Sequence, residues 1–148
     1  MPASEFSLID RYFAAHPRHR PDVALGIGDD GALLVPPPDQ QLVVTLDTLI
    51  ADVHFFADAD PEGIGHKALA VNLSDLAAMG AVPAWATLAL TLPKADEVWL
   101  GRFCRGLFAL ADRYDVQLIG GDTTHGPTTM ITIQAMGFVP PGQALRRD

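Results

Sequence analysis

A single cysteine, Cys104, stands in the 148 residues. It excludes an internal disulfide and leaves no thiolate set for zinc. Its neighbours Phe103 and Leu107 predict a buried thiol on a helix. Cations are scarce, with 10 Lys and Arg against 18 Asp and Glu and a net charge of −8. That balance argues against a nucleic-acid surface, which needs clustered basic residues to displace counterions. Long apolar runs are missing, and every candidate is interrupted too often to span a bilayer. The start Met1-Pro2-Ala3-Ser4-Glu5 lacks the basic-then-apolar order of a secretory signal, so a cytoplasmic protein without a membrane partner is the expectation. There is no G-x-x-x-x-G-K-[ST] phosphate loop and no protein-kinase lysine and catalytic-loop pattern.

What is present describes an ordered globule. The hydrophobic share is 49% and the charged share 19%, and the length suits one domain over residues 1–148. Ser4-Glu5 opens a helix with Phe6, Ile9, Tyr12 and Phe13 on one side, ended by His16-Pro17. Arg18 to Asp22 reads as loop, with His16 and His19 solvated. Leu25 to Val35 reads as strand, turn, short strand, and Leu42 to Leu49 as a strand. Ala51 to Phe56 reads as loop or short strand. Asp60-Pro61 caps a long helix that stops at Gly80. Ala84 to Leu92 is a strand, Asp96 to Tyr114 a helix, and Val116 to Ile119 a short buried strand opening onto a Gly120-Gly121-Asp122-Thr123-Thr124 loop. Thr129 to Val139 is the last strand. The expected class is α+β: a mixed sheet with helices packed on one face.

Gly26, Gly28 and Gly31 spell G-x-G-x-x-G, the dinucleotide fingerprint, but the match fails. That fingerprint needs a following helix to receive pyrophosphate, and here Pro36-Pro37-Pro38 follows. Adjacent Asp29 and Asp30 would also repel a bare phosphate, whereas a metal ion reverses that sign.

The same logic extends to other carboxylates. Alternation along Thr45-Leu46-Asp47-Thr48 points Thr45 and Asp47 one way and Leu46 and Thr48 the other. Asp75 sits late in a mostly apolar helix, at the unfavourable end of its dipole. Asp122 follows two glycines that let main-chain amides approach a phosphate. Each has a plain structural alternative: an Asp-rich turn at Asp29-Asp30, a capped turn at Asp47, a pair with Lys67 for Asp75, a loop before a hairpin at Asp122. Together they predict one converging cage for a hard cation such as Mg²⁺.

The runs Gly26-Ile27-Gly28-Asp29-Asp30, Thr45-Leu46-Asp47-Thr48-Leu49, His54-Phe55, Lys67 through Ala81 and Gly120-Gly121-Asp122-Thr123 occur in order. In them the chain resembles the N-terminal domain of bacterial thiamine-monophosphate kinases, in the superfamily of aminoimidazole ribonucleotide synthetase. The resemblance implies ATP-dependent phosphorylation of thiamine monophosphate to thiamine diphosphate, with several Mg²⁺ ions and ATP as co-substrate. It implies metal positions at Asp30, Thr45, Leu46 (through its carbonyl), Asp47, Asp75 and Asp122, and a thiamine monophosphate contact at His54. It places ATP at Gly121, Asp122 and Arg147, with Arg146 adjacent, and assigns no catalytic residue beyond the metal ligands. It further implies a homodimer whose N-terminal domains build a shared β-barrel, and a C-terminal domain that this sequence, ending at Arg146-Arg147-Asp148, does not contain. The rival readings are another ATP-using enzyme of that superfamily, a cation-binding module, and a dimerisation domain.

Overall fold

A computed structural model describes residues 4–147, apart from the side chains of Glu5 and Phe6. The expected packing of Phe6 therefore lies outside the described residues. Ser4 starts α1 (Glu5–Leu8), its Oγ accepting the Ser7 amide at 3.2 Å. The helix widens into a π-helical turn over Ile9–Ala14 that buries Phe13.

Two short strands, β1 (Val23–Leu25) and β2 (Leu33–Leu34), pair antiparallel around the glycine turn. The main sheet comprises β3 (Gln41–Ile50), β4 (Val82–Leu92), β5 (Gln117–His125) and β6 (Met130–Val139). Its order is β3-β6-β4-β5. β4 and β5 run parallel while β6 is antiparallel to both β3 and β4, so the sheet is mixed as expected. Gly120 to Thr124 lie within β5 rather than in a loop. The reason is tertiary: a Cβ on Gly121 would lie 1.8 Å from the Leu88 carbonyl oxygen. Glycine there lets β5 run close beside β4.

The two long helices α2 (Pro61–Ala78) and α3 (Glu97–Arg113) cover one face. Asp60 caps α2 by accepting the Glu62 amide at 3.0 Å, with Pro61 in the first turn, and Asp96 caps α3 by accepting the Trp99 amide at 3.1 Å. Beyond α2, Gly80 takes φ +74°, the left-handed conformation of a helix terminator. Leu69, Leu73 and Leu76 of α2 join Leu100, Phe103 and Leu107 of α3 and Leu88, Leu90, Ile131 and Ile133 of the sheet in one core. Cys104 is buried there, and burial pushes its thiol up to about 12, so it carries no reactive thiolate at neutral pH.

The helices touch backbone to backbone. A Cβ at Gly65 would lie 2.1 Å from the Phe103 carbonyl oxygen, and one at Gly106 would lie 1.9 Å from that of Glu62. The opposite sheet face carries a smaller core of Trp85, Ile119, Met136 and Phe138 under Val23, Ala32 and Leu34. Beyond that cover, Leu42, Val44 and Leu46 stay 49%, 49% and 61% exposed. Among the described residues the sheet is open. The barrel expected from the resemblance does not close within one chain.

The segment after the first helix is pinned rather than solvated. His16 stacks on Phe108 with centroids 3.9 Å apart and reaches Asp112 at 2.8 Å, which corrects its expected solvated role. Arg20 grips Asp22 through two hydrogen bonds of 3.0 and 2.7 Å, and the Trp85 indole N–H donates to Asp22 at 3.0 Å. The Arg20 hydrogen bonds hold the Asp22 carboxyl below its ordinary range, burial opposes, and the Trp85 bond assists.

Two outcomes follow from this packing. Gly65→Ala is expected to cost about 3 kcal/mol or more, whereas Gly63→Ala, with nothing within 4 Å of its added Cβ, is expected to be neutral or stabilising by up to about 1 kcal/mol; urea titration reads both. The depressed Asp22 value means its contribution is present above about pH 4 and is lost as pH falls through the folded value. Asp22→Asn should therefore cost about 1–3 kcal/mol at pH 7, a difference that shrinks progressively as pH falls below about 4; a cost that stays constant down the acid range would count against the linkage.

Candidate functional site

The site begins where α2 lies along β3. Residues 43, 45, 47 and 49 of β3 share the helix-facing side, with Val43 and Leu49 buried at either end. Between them Thr45 and Asp47 meet two side chains one turn apart on α2. Thr45 Oγ1 donates to Asn72 Oδ1 at 2.9 Å, and Asn72 Nδ2 donates to the Ala68 carbonyl at 3.3 Å. Asp47 meets Asp75: burial pushes its carboxyl up, and the charge of Asp75 and a hydrogen bond between the two carboxyls push it further. Strand and helix thus form two rungs, hydroxyl on amide and carboxyl on carboxyl.

Asn72 is completely buried and was not foreseen from the sequence. Its spacing of three from Asp75 was the available signal, since such residues share a helix stripe. Lys67, the sequence candidate for pairing Asp75, instead hydrogen-bonds the His54 carbonyl.

A second feature lies at the other end of the sheet. The Ile27-Gly28-Asp29-Asp30-Gly31-Ala32 turn and the Gly120-Gly121-Asp122-Thr123 run of β5 face each other across a cavity of about 480 Å³. Ile9, Phe13, Leu118 and Ile119 give it an apolar wall, and Asp10, Asp30 and Asp122 give it acidic lining. Asp29 is engaged by the turn itself, its carboxylate accepting the Asp30 amide at 2.8 Å. The volume suits a small-molecule ligand.

The four aspartates do not form the single cage the sequence suggested. Among the described residues no three of His, Cys, Asp and Glu gather into a group that could hold a metal ion. The strand order explains the split. Asp47 is on β3 and Asp122 on β5, the two edges of the sheet, three strand spacings or roughly 14 Å apart. Asp122 is in register with Ala89 and hence with Thr132 and Thr48 on the outer face, while Asp47 is in register with Ile133 and Leu88 on the helix face. The structure brings Asp47 to Asp75, and puts Asp30 and Asp122 on the lining of one cavity.

The charges are nevertheless sorted. Ion pairs among the described residues engage Asp22, Asp60, Glu62, Glu97, Asp112 and Asp115. None engages Asp30, Asp47, Asp75 or Asp122. The Leu46 side chain is exposed on the outer face, so only its main-chain carbonyl can belong to the Thr45-Asp47 set.

His54 sits in the turn after β3, where its Nδ1 accepts the Ile50 amide at 3.0 Å. An amide can only donate, so the neutral ring carries its proton on Nε2. The exposed Phe56 ring is on the same loop. Arg147 is exposed on a tail held to the end of α2 by the Leu145 amide donating to the Met79 carbonyl at 3.0 Å. Neither it nor Arg146 lines the cavity holding Gly121 and Asp122.

An open mixed sheet with acidic glycine turns and an α2 carboxylate over β3 defines a class. The family described as AIR synthase related protein, N-terminal domain, matches residues 28–139, and the chain belongs to it. Within it, the chain is 60% identical over 148 residues to thiamine-monophosphate kinase of Escherichia coli (strain K12), covering 100% of this chain and 45% of that protein. A crystal structure of thiamine-monophosphate kinase from Stenotrophomonas maltophilia K279a superposes with a TM-score of 0.87 at 59% identity, over 100% of this chain and 46% of that one. A structure described as AaThiL complexed with AMPPCP and TMP aligns with a TM-score of 0.67 at 31% identity, over 71% of this chain and 34% of that one. The chain thus spans about half the length of the relatives it matches.

The Asp47–Asp75 contact makes a stability statement of its own. A carboxyl raised in the folded state costs stability as pH rises from the ordinary carboxylate value through the folded one. In chelator at pH 7, Asp47→Asn is therefore expected to raise stability by up to about 1 kcal/mol, about 3 °C in melting temperature. The gain should vanish at pH 3; a destabilised Asp47→Asn at pH 7 would sink the repulsive reading.

Proposed function

We propose that this chain is the metal- and nucleotide-binding half of a kinase that transfers phosphate from ATP to thiamine monophosphate. The observation that carries the reading is the Asp47–Asp75 contact, a pair of carboxylates that no ion pair among the described residues engages. Its donor set of carboxylates, hydroxyl and carbonyl is hard oxygen, which suits Mg²⁺. Asp47, Asp75, Thr45 and the Leu46 carbonyl are the residues that would hold the ion. Asp30 and Asp122 would meet the triphosphate only through a bound cation, which reverses the repulsion of their carboxylates, with Gly121 beside them in the cavity. AMPPCP and TMP in AaThiL support this pair of ligands.

Bound Mg²⁺ would supply charge neutralisation between two phosphates that otherwise repel. The chain's own residues do the remaining work. The acceptor phosphate is already anionic, so no strong base is required, and His54 serves as a donor. With Nδ1 committed to Ile50, its Nε2–H is the group offered to the acceptor. The apolar wall at Ile9, Phe13 and Leu118 excludes water from one side of the cavity. Arg147 is assigned to nucleotide only on the resemblance, and its side chain must come from the α2 end to serve. We further propose a homodimer that covers the exposed Leu42, Val44 and Leu46 strip, in a cytoplasmic protein.

Calorimetry separates the candidate readings. Nucleotide binding that requires Mg²⁺ supports the kinase, metal binding without nucleotide indicates a cation module, and neither indicates a dimerisation domain. In the complete protein, Asp75→Asn is expected to lower turnover of ATP with thiamine monophosphate by about 10²–10³ or more, with the circular dichroism spectrum unchanged. Turnover near the parent's would defeat the proposal.

A further inference from the structure

We infer that Asn72 is a positioning residue that aims the Thr45 hydroxyl toward a bound cation; the inference rests on the site proposed above. Asn72 Oδ1 carries no proton, so across the 2.9 Å contact the hydroxyl hydrogen belongs to Thr45 and points at Asn72, the much nearer of its two acceptors, the other being the Ala135 carbonyl at 3.5 Å. The amide orientation is itself fixed, because Nδ2 donates to the Ala68 carbonyl four residues earlier on α2. With its hydrogen drawn into the core, the Thr45 oxygen presents lone-pair density on its other side. That is the oxygen a hard cation needs, and a free rotor would instead spend part of its time pointing a proton there.

The geometry ties this rung to the next. Thr45 and Asp47 are two residues apart on one strand face, and Asn72 and Asp75 are three apart on one helix stripe. The amide rung therefore also sets the height of α2 above β3 at the position where the carboxylates meet. Asn72 is wholly buried with both ends of its amide bonded. Burying an amide in an otherwise apolar helix face is costly unless it is satisfied. A leucine would fill the same space without that demand, so stability alone does not favour the amide.

The test is Mn²⁺ affinity of the full chain by calorimetry, with melting in EDTA to follow the fold. Asn72→Leu is expected to weaken Mn²⁺ binding about 10–100-fold, and Thr45→Val by a similar factor. The double variant should be no weaker than Thr45→Val alone, because both changes remove one arrangement. Thr45→Ser should retain the parent affinity. If Asn72→Leu does not fold, Asn72→Ser serves, since its hydroxyl can still reach the Ala68 carbonyl but not Thr45. A merely structural amide would lower the melting temperature and leave Mn²⁺ affinity within twofold of the parent, or give multiplicative losses in the double variant; either result overturns the inference while the cation site stands. A parent chain that does not bind Mn²⁺ overturns both.

Discussion

The crossing of α2 and α3 at Gly65 and Gly106 fixes where the polar residues of α2 can be. At each glycine the other helix's main chain occupies the space a Cβ would need. The two helices therefore pack as one slab, joined at the same end by Asp60–Arg102 and Glu62–Arg105. Slab height decides which side chains of α2 reach the sheet. Leu69, Leu73 and Leu76 enter the core, and Asn72 and Asp75 come down on Thr45 and Asp47. A rise of 1 Å would break a 2.9 Å hydrogen bond outright. The two glycines thus fix how closely α2 packs on α3, and the Thr45–Asn72 bond ties α2 to β3.

The chain spends its few cations elsewhere. Arg18 and Arg20 hold Asp22, Asp112 and Asp115, tying the segment before β1 to the end of α3 and, through Trp85, to β4. Arg11 holds Glu97 at the start of α3. Those pairs do architectural work. Asp47 and Asp75 instead meet at the edge of the core, Asp47 half-buried and Asp75 exposed, a local conflict left without a cationic partner among the described residues. Side chains placed against local preference are where function is most often found, and a divalent cation, as proposed above, would resolve this conflict.

The helices, the long strands and their caps were legible because each is written in adjacent residues: Asp60-Pro61, Asp96, Gly80 and the alternation of β3. Three things were not. Gly120-Gly121 reads as loop locally, but the glycine at 121 answers to the Leu88 carbonyl across the sheet. The order β3-β6-β4-β5 has no signature in any short window, so whether Asp47 and Asp122 meet was beyond the sequence. Asn72 was hidden among apolar neighbours because nothing in α2 alone reveals that Thr45 lies opposite it. The candidate residues were therefore legible, but the expected cage resolved into one contact, Asp47 with Asp75, and one cavity lined by Asp30 and Asp122. The resemblance supplied roles, not distances.

One strand serves two purposes by alternation. The odd residues of β3 give Thr45 and Asp47 to the helix side, and its even residues give Leu42, Val44 and Leu46 to the open side. A register slip of one residue would put the leucines against α2 and the carboxylate in solvent. Ten consecutive pairs with β6, from Gln41 opposite Val139 to Ile50 opposite Met130, hold that register. A second copy laid on the apolar strip would bury the outer face of the same strand without touching the polar one. Such an assembly would stiffen β3 from behind and restrict the motion of Asp47 relative to Asp75. Dimer and cation site would then be coupled through the rigidity of a single edge strand, Leu46 giving its side chain to one and its carbonyl to the other.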